Sequence, residues 1–326
     1  MGITVIGMTL WAALALWYTL PLPGWVRYTS AFGLLGLGVG GFVCAIVSGR
    51  FLIPVAPFLV AFVATLIWWS TIEPSNYRDW HNDVALLPSA EIKGDLITLR
   101  NIRNFRYRNE TDYTPNWYDK TVDLRKLVSL DLITVYWMGD AIAHTILSFN
   151  FDGTYVAVSI EVRKEKGESF SAIAGFFRRY ELMYIVGDER DLIGLRTNYR
   201  NPTEDVYLYR VNAPISAIQD LFLRYVAKIN ELNQRPEFYN SATTNCTTNI
   251  VTHVEAVKHN VRFSWKMLLS GYFAELFYER GALDQSLPFE ELRRISLINQ
   301  RARAADGSDN FSTLIRQGLI GMSSKL

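Results

Sequence analysis

Between residues 1 and 72 the chain carries only two charged side chains, Arg27 and Arg50, and its first acidic residue is Glu73. A stretch this apolar has few solutions. A hydrocarbon layer about 30 Å thick takes roughly 20 apolar residues as a helix, because backbone amides in lipid must be satisfied within the segment. Three segments meet that requirement: residues 5–20, closed by Pro21 and Pro23; residues 30–48, with Gly33, Gly36, Gly38, Gly40 and Gly41; and residues 51–72, ending in Trp68 and Trp69 like an interfacial belt. The glycines either let helices pack closely or reflect the ordinary glycine content of membrane helices. A cleaved signal peptide is disfavoured for the first segment, which lacks a basic leader and is followed by two more apolar runs. Each connecting loop holds one arginine, so the positive-inside count is a tie and charge does not set orientation. The expected division is a three-helix transmembrane anchor over residues 1–73 and one further domain over residues 74–326.

That second region is mixed in charge. The net charge of the chain is +1, which gives no concentrated basic field and argues against a nucleic-acid partner. Its two cysteines are Cys44, inside an apolar run, and Cys246, in the polar region. Bilayer burial of one keeps them from pairing, so no disulfide framework and no cysteine-rich zinc site is available. No cofactor or metal is expected. Period-two alternation predicts strands at 96–108, 132–138, 142–149, 155–162, 182–186 and 206–211. Helical spacing links Ile215, Ile218, Phe222, Tyr225, Ile229 and Leu232, and predicts further helices from about Cys246, over 265–279 and over 289–303. Strands precede helices, without internal repeat, which predicts a single α+β domain.

The chemistry centres on Cys246. A cluster of capping residues, Thr243, Thr244, Asn245, Thr247 and Thr248, precedes an apolar stripe at Ile250, Val254, Val257 and Val261, which marks a helix N-terminus. There the unpaired amides and the helix dipole favour thiolate over thiol. A lone cysteine is equally a buried, inert side chain, and only a nearby base separates the two readings. Of four histidines, His81 lies beside the membrane exit, His259 sits where a helix C-terminus explains it, and His253 is seven residues, roughly 10 Å, along the cysteine's own helix. His144 remains. Asp152-Gly153 is a strong two-residue hairpin turn, and if Phe151 pairs with Thr154 then His144 falls opposite Glu161, whose carboxylate could orient the imidazole. A slip of register would bring Ser159 into play instead, and a purely structural ion pair is the alternative. For an oxyanion hole the Cys246 amide is one donor and Asn245 or Tyr239 a second, against capping and core packing as their simpler roles. Arg100, Arg103, Arg106 and Arg108, like Arg163 and Lys164, could meet lipid phosphates or form a solvated face, and the solvated face is the preferred reading.

Five separated motifs carry a resemblance: Asp79-Trp80-His81-Asn82-Asp83-Val84-Ala85, Arg100-Asn101-Ile102-Arg103-Asn104-Phe105, Ala143-His144-Thr145-Ile146-Leu147-Ser148-Phe149, Ser159-Ile160-Glu161-Val162-Arg163 and Thr244-Asn245-Cys246-Thr247-Thr248. Together they resemble the Lnb N-terminal periplasmic domain family, over nearly all of residues 79–320. The resemblance implies a permuted papain-like thiol fold of the NlpC and lecithin-retinol acyltransferase kind, with the histidine strand before the cysteine helix. It also implies N-acylation of bacterial lipoproteins, with a phospholipid as acyl donor, the lipoprotein N-terminus as acceptor, and a multi-pass inner-membrane protein whose catalytic domain faces the periplasm. A thiol peptidase or amidase of the cell envelope and a non-catalytic membrane scaffold are the competing expectations.

Overall fold

The three apolar segments are helices: α1 (Gly2–Thr19), α2 (Gly24–Ser48) and α3 (Leu52–Ser70), each long and apolar enough to cross a bilayer. The computed structural model describes residues 2–257, 262 and 264–322, so the expectations placed on His259 and Val261 lie outside the described residues. The chain divides into two units by internal contacts. One comprises Met1–Ser75 with Ser169–Glu181 and Phe238–Ser241; the other comprises Asn76–Glu168, Leu182–Glu237 and Ala242–Leu326.

In the helical unit Val5, Ala12, Leu34, Ala45, Val55 and Phe58 form the contact core, with the Trp11 indole edge-on to Phe62 and Trp69. Two of the six glycines in α2 are packing residues. A Cβ on Gly38 would lie 2.2 Å from Thr9 Oγ1, and one on Gly41 would lie 2.6 Å from the Pro54 carbonyl oxygen, whereas Gly33, Gly36 and Gly40 face open space. Gly41→Leu is therefore expected to force α2 from α3 and cost on the order of 1–3 kcal/mol. The check is the melting temperature of the detergent-solubilised protein: it falls for Gly41→Leu and holds for Gly36→Leu, and equal tolerance at both positions contradicts the assignment.

The carbonyls at helix ends lack intrahelical partners and carry the negative end of the dipole. Two arginines of the 169–181 segment meet that need. Arg178 donates to the carbonyls of Trp69, Ser70 and Ile72 at 3.0–3.2 Å, with its guanidinium 4.0 Å from the Trp69 ring centroid. Arg179 donates to the Tyr18 carbonyl near the end of α1 at 2.9 Å.

The other unit is built on a sheet. Its strands are β1 (Ser89–Lys93), β2 (Leu96–Arg103), β3 (Arg106–Tyr107), β4 (Tyr113–Thr114), β5 (Trp117–Asp123), β6 (Leu127–Tyr136), β7 (Ala143–Phe151), β8 (Thr154–Arg163), β9 (Glu181–Gly187) and β10 (Asp205–Arg210). The main sheet runs β1-β2-β9-β8-β7-β6-β10, with β5 paired to β2, while β3 and β4 form a separate ribbon. Its helices are α4 (Glu189–Leu192), α5 (Ile215–Gln234), α6 (Cys246–Val257), α7 (Phe273–Glu279), α8 (Phe289–Ser296), α9 (Asn299–Ala304) and α10 (Phe311–Leu314). The result is α+β, preceded by three membrane-length helices.

The β7–β8 hairpin is the frame of the site. Asp152 and Gly153 both take positive φ, 51° and 90°, as the tight turn requires, and Phe151 pairs with Thr154. The strand is buried along its whole length because both faces are covered. Phe149 and Phe151 pack their rings on Phe222 of α5, while Ile146 joins Leu192, Ile298, Phe311 and Ile315 on the other side.

Two expected helices are interrupted, each by a bond to the sheet. Over 265–279 the chain makes tight turns at Trp265–Met267 and Ser270–Tyr272 before α7. There Gly271 presses so closely on the Asp140 carbonyl that a Cβ would sit 1.9 Å from its oxygen, the Gly271 amide donates to the Ala141 carbonyl, and the Tyr136 hydroxyl donates to the Gly271 carbonyl. Between α8 and α9 the Ile298 amide donates to Val206, which in turn donates to Asn299 Oδ1. The strand expected to reach residue 108 stops at Arg103, and its arginines are not one surface. Arg103 is 5 % exposed and makes a fork with the fully buried Asp191, which also accepts from the Phe105 amide and the Tyr107 hydroxyl. Arg163 is likewise interior, donating to the Val84 and Ala85 carbonyls over the Trp80 ring. Neither is a solvated cation or a lipid contact. Arg100 and Arg108 are exposed and paired with Asp119 and Asp112.

Candidate active site

Cys246 opens α6. Asn245 caps the helix, its Oδ1 accepting from the amides of Thr247 and Thr248 at 2.9 Å each. Those two first-turn donors are spent on the cap, which leaves the Cys246 amide as the helix-start donor nearest the sulfur. Cys246 is 8 % exposed, and its sulfur receives the Thr145 amide of β7 and lies 3.9 Å from Thr247 Oγ1.

β7 brings in the base. The β7–β8 ladder ends at Ile146 opposite Ser159, and α6 packs against both strands. His144, two residues beyond that ladder, hydrogen-bonds the Cys246 thiol. Its Nε2 is 2.6 Å from Ser159 Oγ and 3.0 Å from Glu161 Oε1, and Ser159 Oγ donates to the same carboxylate oxygen at 2.7 Å. With Nε2 committed to the serine and the carboxylate, Nδ1 is the nitrogen left for sulfur. Ser159 and Glu161 therefore do not alternate by register: with Phe151 opposite Thr154, both reach the imidazole.

The electrostatics follow from these contacts. Burial lowers the His144 pKa and the nearby Arg196 charge adds to that, but the Glu161 carboxylate and the thiol outweigh both and push it up to about 9. Burial raises a thiol, yet the hydrogen bond and charge of His144 bring Cys246 below its ordinary value. Burial likewise raises a carboxyl, while His144, Arg196 and Ser159 hold Glu161 well below the usual carboxylate range. Each group thus shifts the other toward the thiolate and imidazolium forms. Reactivity that needs both forms falls as pH drops through the thiol pKa, where sulfur is protonated, and falls as pH rises through about 9, where the imidazolium loses its proton. Glu161→Gln removes the charge that raises His144, so the alkaline limb is expected to move down toward the ordinary histidine range, about 6.5. A limb that stays in place in this variant, measured as the pH dependence of turnover, contradicts the assignment.

The other two described histidines lie elsewhere. Burial and the nearby Lys228 and Arg224 push His253 down to about 4, and its Nε2 meets the Tyr184 hydroxyl at 2.8 Å. His81 lies 3.7 Å from Asp83. Tyr239 belongs to the 238–241 segment of the helical unit, where its amide donates to the Tyr180 carbonyl and its ring edge abuts Gly175. Among the described residues no cluster of His, Cys, Asp and Glu is arranged to hold a metal ion.

One buried participant escaped the sequence reading. Arg196 is 6 % exposed and donates from Nη2 to Glu161 Oε1 at 2.8 Å and from Nη1 to Glu204 Oε2 at 3.2 Å. Its three neighbours on either side are uncharged and it lies 35 positions from Glu161, so no spacing rule links the two.

The comparison with known families bears on the segment that carries these groups. Residues 113–271 match the Lnb N-terminal periplasmic domain family. The match takes in His144, Ser159, Glu161, Arg196, Asn245 and Cys246, and is narrower than the stretch of 79–320 over which the motifs resemble the family. No curated protein and no solved structure matches the chain. The chain thus joins three membrane-length helices to a segment that is similar to a periplasmic-domain family.

Proposed function

We propose that the chain is a lipoprotein N-acyltransferase of the bacterial inner membrane, working through a thioester on Cys246, with a papain-like sheet unit facing the periplasm. The observation that carries this reading is the Cys246–His144 hydrogen bond at a helix start, backed by Ser159 and Glu161, in a chain with three membrane-length helices. The thiolate attacks the carbonyl carbon of a phospholipid acyl ester, and the tetrahedral oxyanion is met by the Cys246 amide. The C–O bond then breaks, and the departing lysophospholipid oxygen takes its proton from the His144 imidazolium. In the second half the free α-amine of a diacylglyceryl-modified N-terminal cysteine attacks the thioester. Its proton passes to His144, the C–S bond breaks, and an amide and the thiolate remain. Anchoring gives the scheme its advantage, since donor and acceptor both reside in the bilayer and a tethered enzyme meets them at high effective concentration.

The test is mass spectrometry of a lipoprotein N-terminal peptide from cells that depend on this protein. A third acyl chain, amide-linked, is expected. A diacylated peptide with a free amine contradicts the proposal, and release of free fatty acid or cleaved cell-wall peptides in its place makes the site a hydrolase.

A further inference from the structure

We infer that Arg196 is a positioning residue of this site: by gripping Glu161 and Glu204 in one guanidinium fork, it fixes the carboxylate oxygen against which His144 is set. The inference rests on the reading of Cys246 and His144 as nucleophile and base. Glu161 Oε1 is a single atom serving three donors, His144 Nε2 at 3.0 Å, Ser159 Oγ at 2.7 Å and Arg196 Nη2 at 2.8 Å. The strand pairing does not hold that atom in place by itself, because Glu161 lies beyond the end of the β7–β8 ladder, where Ile146 pairs with Ser159. Something rigid has to.

Arg196 is suited to this by shape and by anchorage. Its guanidinium is planar and spends two nitrogens on two carboxylates, so a rotation that frees Glu161 also breaks the bond to Glu204. Glu204 is 5 % exposed, is paired with Arg200 as well, and donates its own amide to the Arg196 carbonyl at 3.2 Å. The backbone at Leu195–Tyr199 widens into a π-type turn, a distortion that costs helix geometry and is frequent where a side chain must be aimed. The charges also close: Glu161, Glu204 and the Cys246 thiolate face Arg196, Arg200 and the His144 imidazolium, three of each sign, with Glu110 touching Arg200 at 3.5 Å from a half-exposed position. Without Arg196, two carboxylates are left with one arginine, and one of them either takes a proton or turns away from His144.

The experiment follows the rate of Cys246 alkylation by iodoacetamide against pH, in the full-length protein in detergent, with peptide mapping to separate Cys246 from Cys44. This readout needs no acyl transfer, so it is independent of whether the transferase reading survives. In Arg196→Gln the acidic limb is expected to move up by about one pH unit, equivalent to roughly tenfold slower alkylation at pH 6, with an unchanged circular dichroism spectrum. An unchanged limb in the folded variant overturns the inference, and so does a limb that moves down, which is what loss of the Arg196 charge beside His144 gives by itself. Should Arg196→Gln fail to fold, Arg196→Lys carries the test: a point charge reaches one carboxylate at a time, so a smaller shift in the same direction supports the inference and a wild-type limb overturns it.

Discussion

Cys246→Ala is expected to abolish acyl transfer, lowering turnover by on the order of a thousandfold or more, because in this scheme the sulfur is the atom that holds the acyl chain between donor and acceptor. The loss must come without unfolding. The sulfur sits at the first turn of α6, and the cap that secures the turn belongs to Asn245, so an alanine there keeps both amide bonds of the cap. Measured in cells, Cys246→Ala leaves lipoproteins diacylated while the protein accumulates at its normal level. Full acylation with this variant would mean that the nucleophile is elsewhere or that the chain acts as a scaffold. His144→Ala is expected to follow it in direction with a smaller loss, since helix-start donors still favour the thiolate when the imidazole is gone.

The second large effect is on stability. Asp131 and Glu189 are fully or almost fully buried, and Arg316 joins them, donating to Asp131 Oδ2 at 2.8 Å and to Glu189 Oε2 at 2.7 Å. Arg210 completes the charge balance on Asp131, and Ser148 of β7 donates to Glu189 at 2.6 Å. A network of this kind gains little over an apolar core of the same volume, but removing one partner strands a charge in a medium that cannot solvate it. Arg316→Leu is therefore expected to cost about 3–5 kcal/mol, seen as a fall in the midpoint of denaturant unfolding of the sheet unit's tryptophan signal. Because Ser148 lies on the strand that carries His144, the same variant is expected to lower turnover below its melting temperature. A midpoint equal to wild type would show that the two acids rearrange or protonate without penalty.

Much of this architecture was legible in the sequence, and the reasons are local. The apolar runs, the Asp152-Gly153 turn and the capping cluster before Cys246 each act over a few residues, so composition and spacing locate them. The pairing of His144 with Glu161 was within reach because a two-residue turn fixes the register of everything beyond it. Long-range contacts were not. The breaks at Gly271 and Ile298 are bonds to distant strands that override helical spacing. Arg103 and Arg163 carry the same charge as Arg100 and Arg108, and only the buried Asp191 and the Trp80 face distinguish them. Ser159 was visible only as a substitute for Glu161, because pattern reasoning treats facing pairs one at a time, while the structure lets a diagonal neighbour share the imidazole. Arg196 gave no signal at all.

The central claim is that the sulfur of Cys246 carries an acyl group in transit. Full-length protein incubated with phospholipid vesicles, quenched in acid and digested, places that group by mass spectrometry. The account predicts an acyl mass on the peptide containing Cys246, released by neutral hydroxylamine and absent after Cys246→Ala. An acylated product formed with this peptide unmodified throughout, or the acyl mass found on another residue, would contradict it.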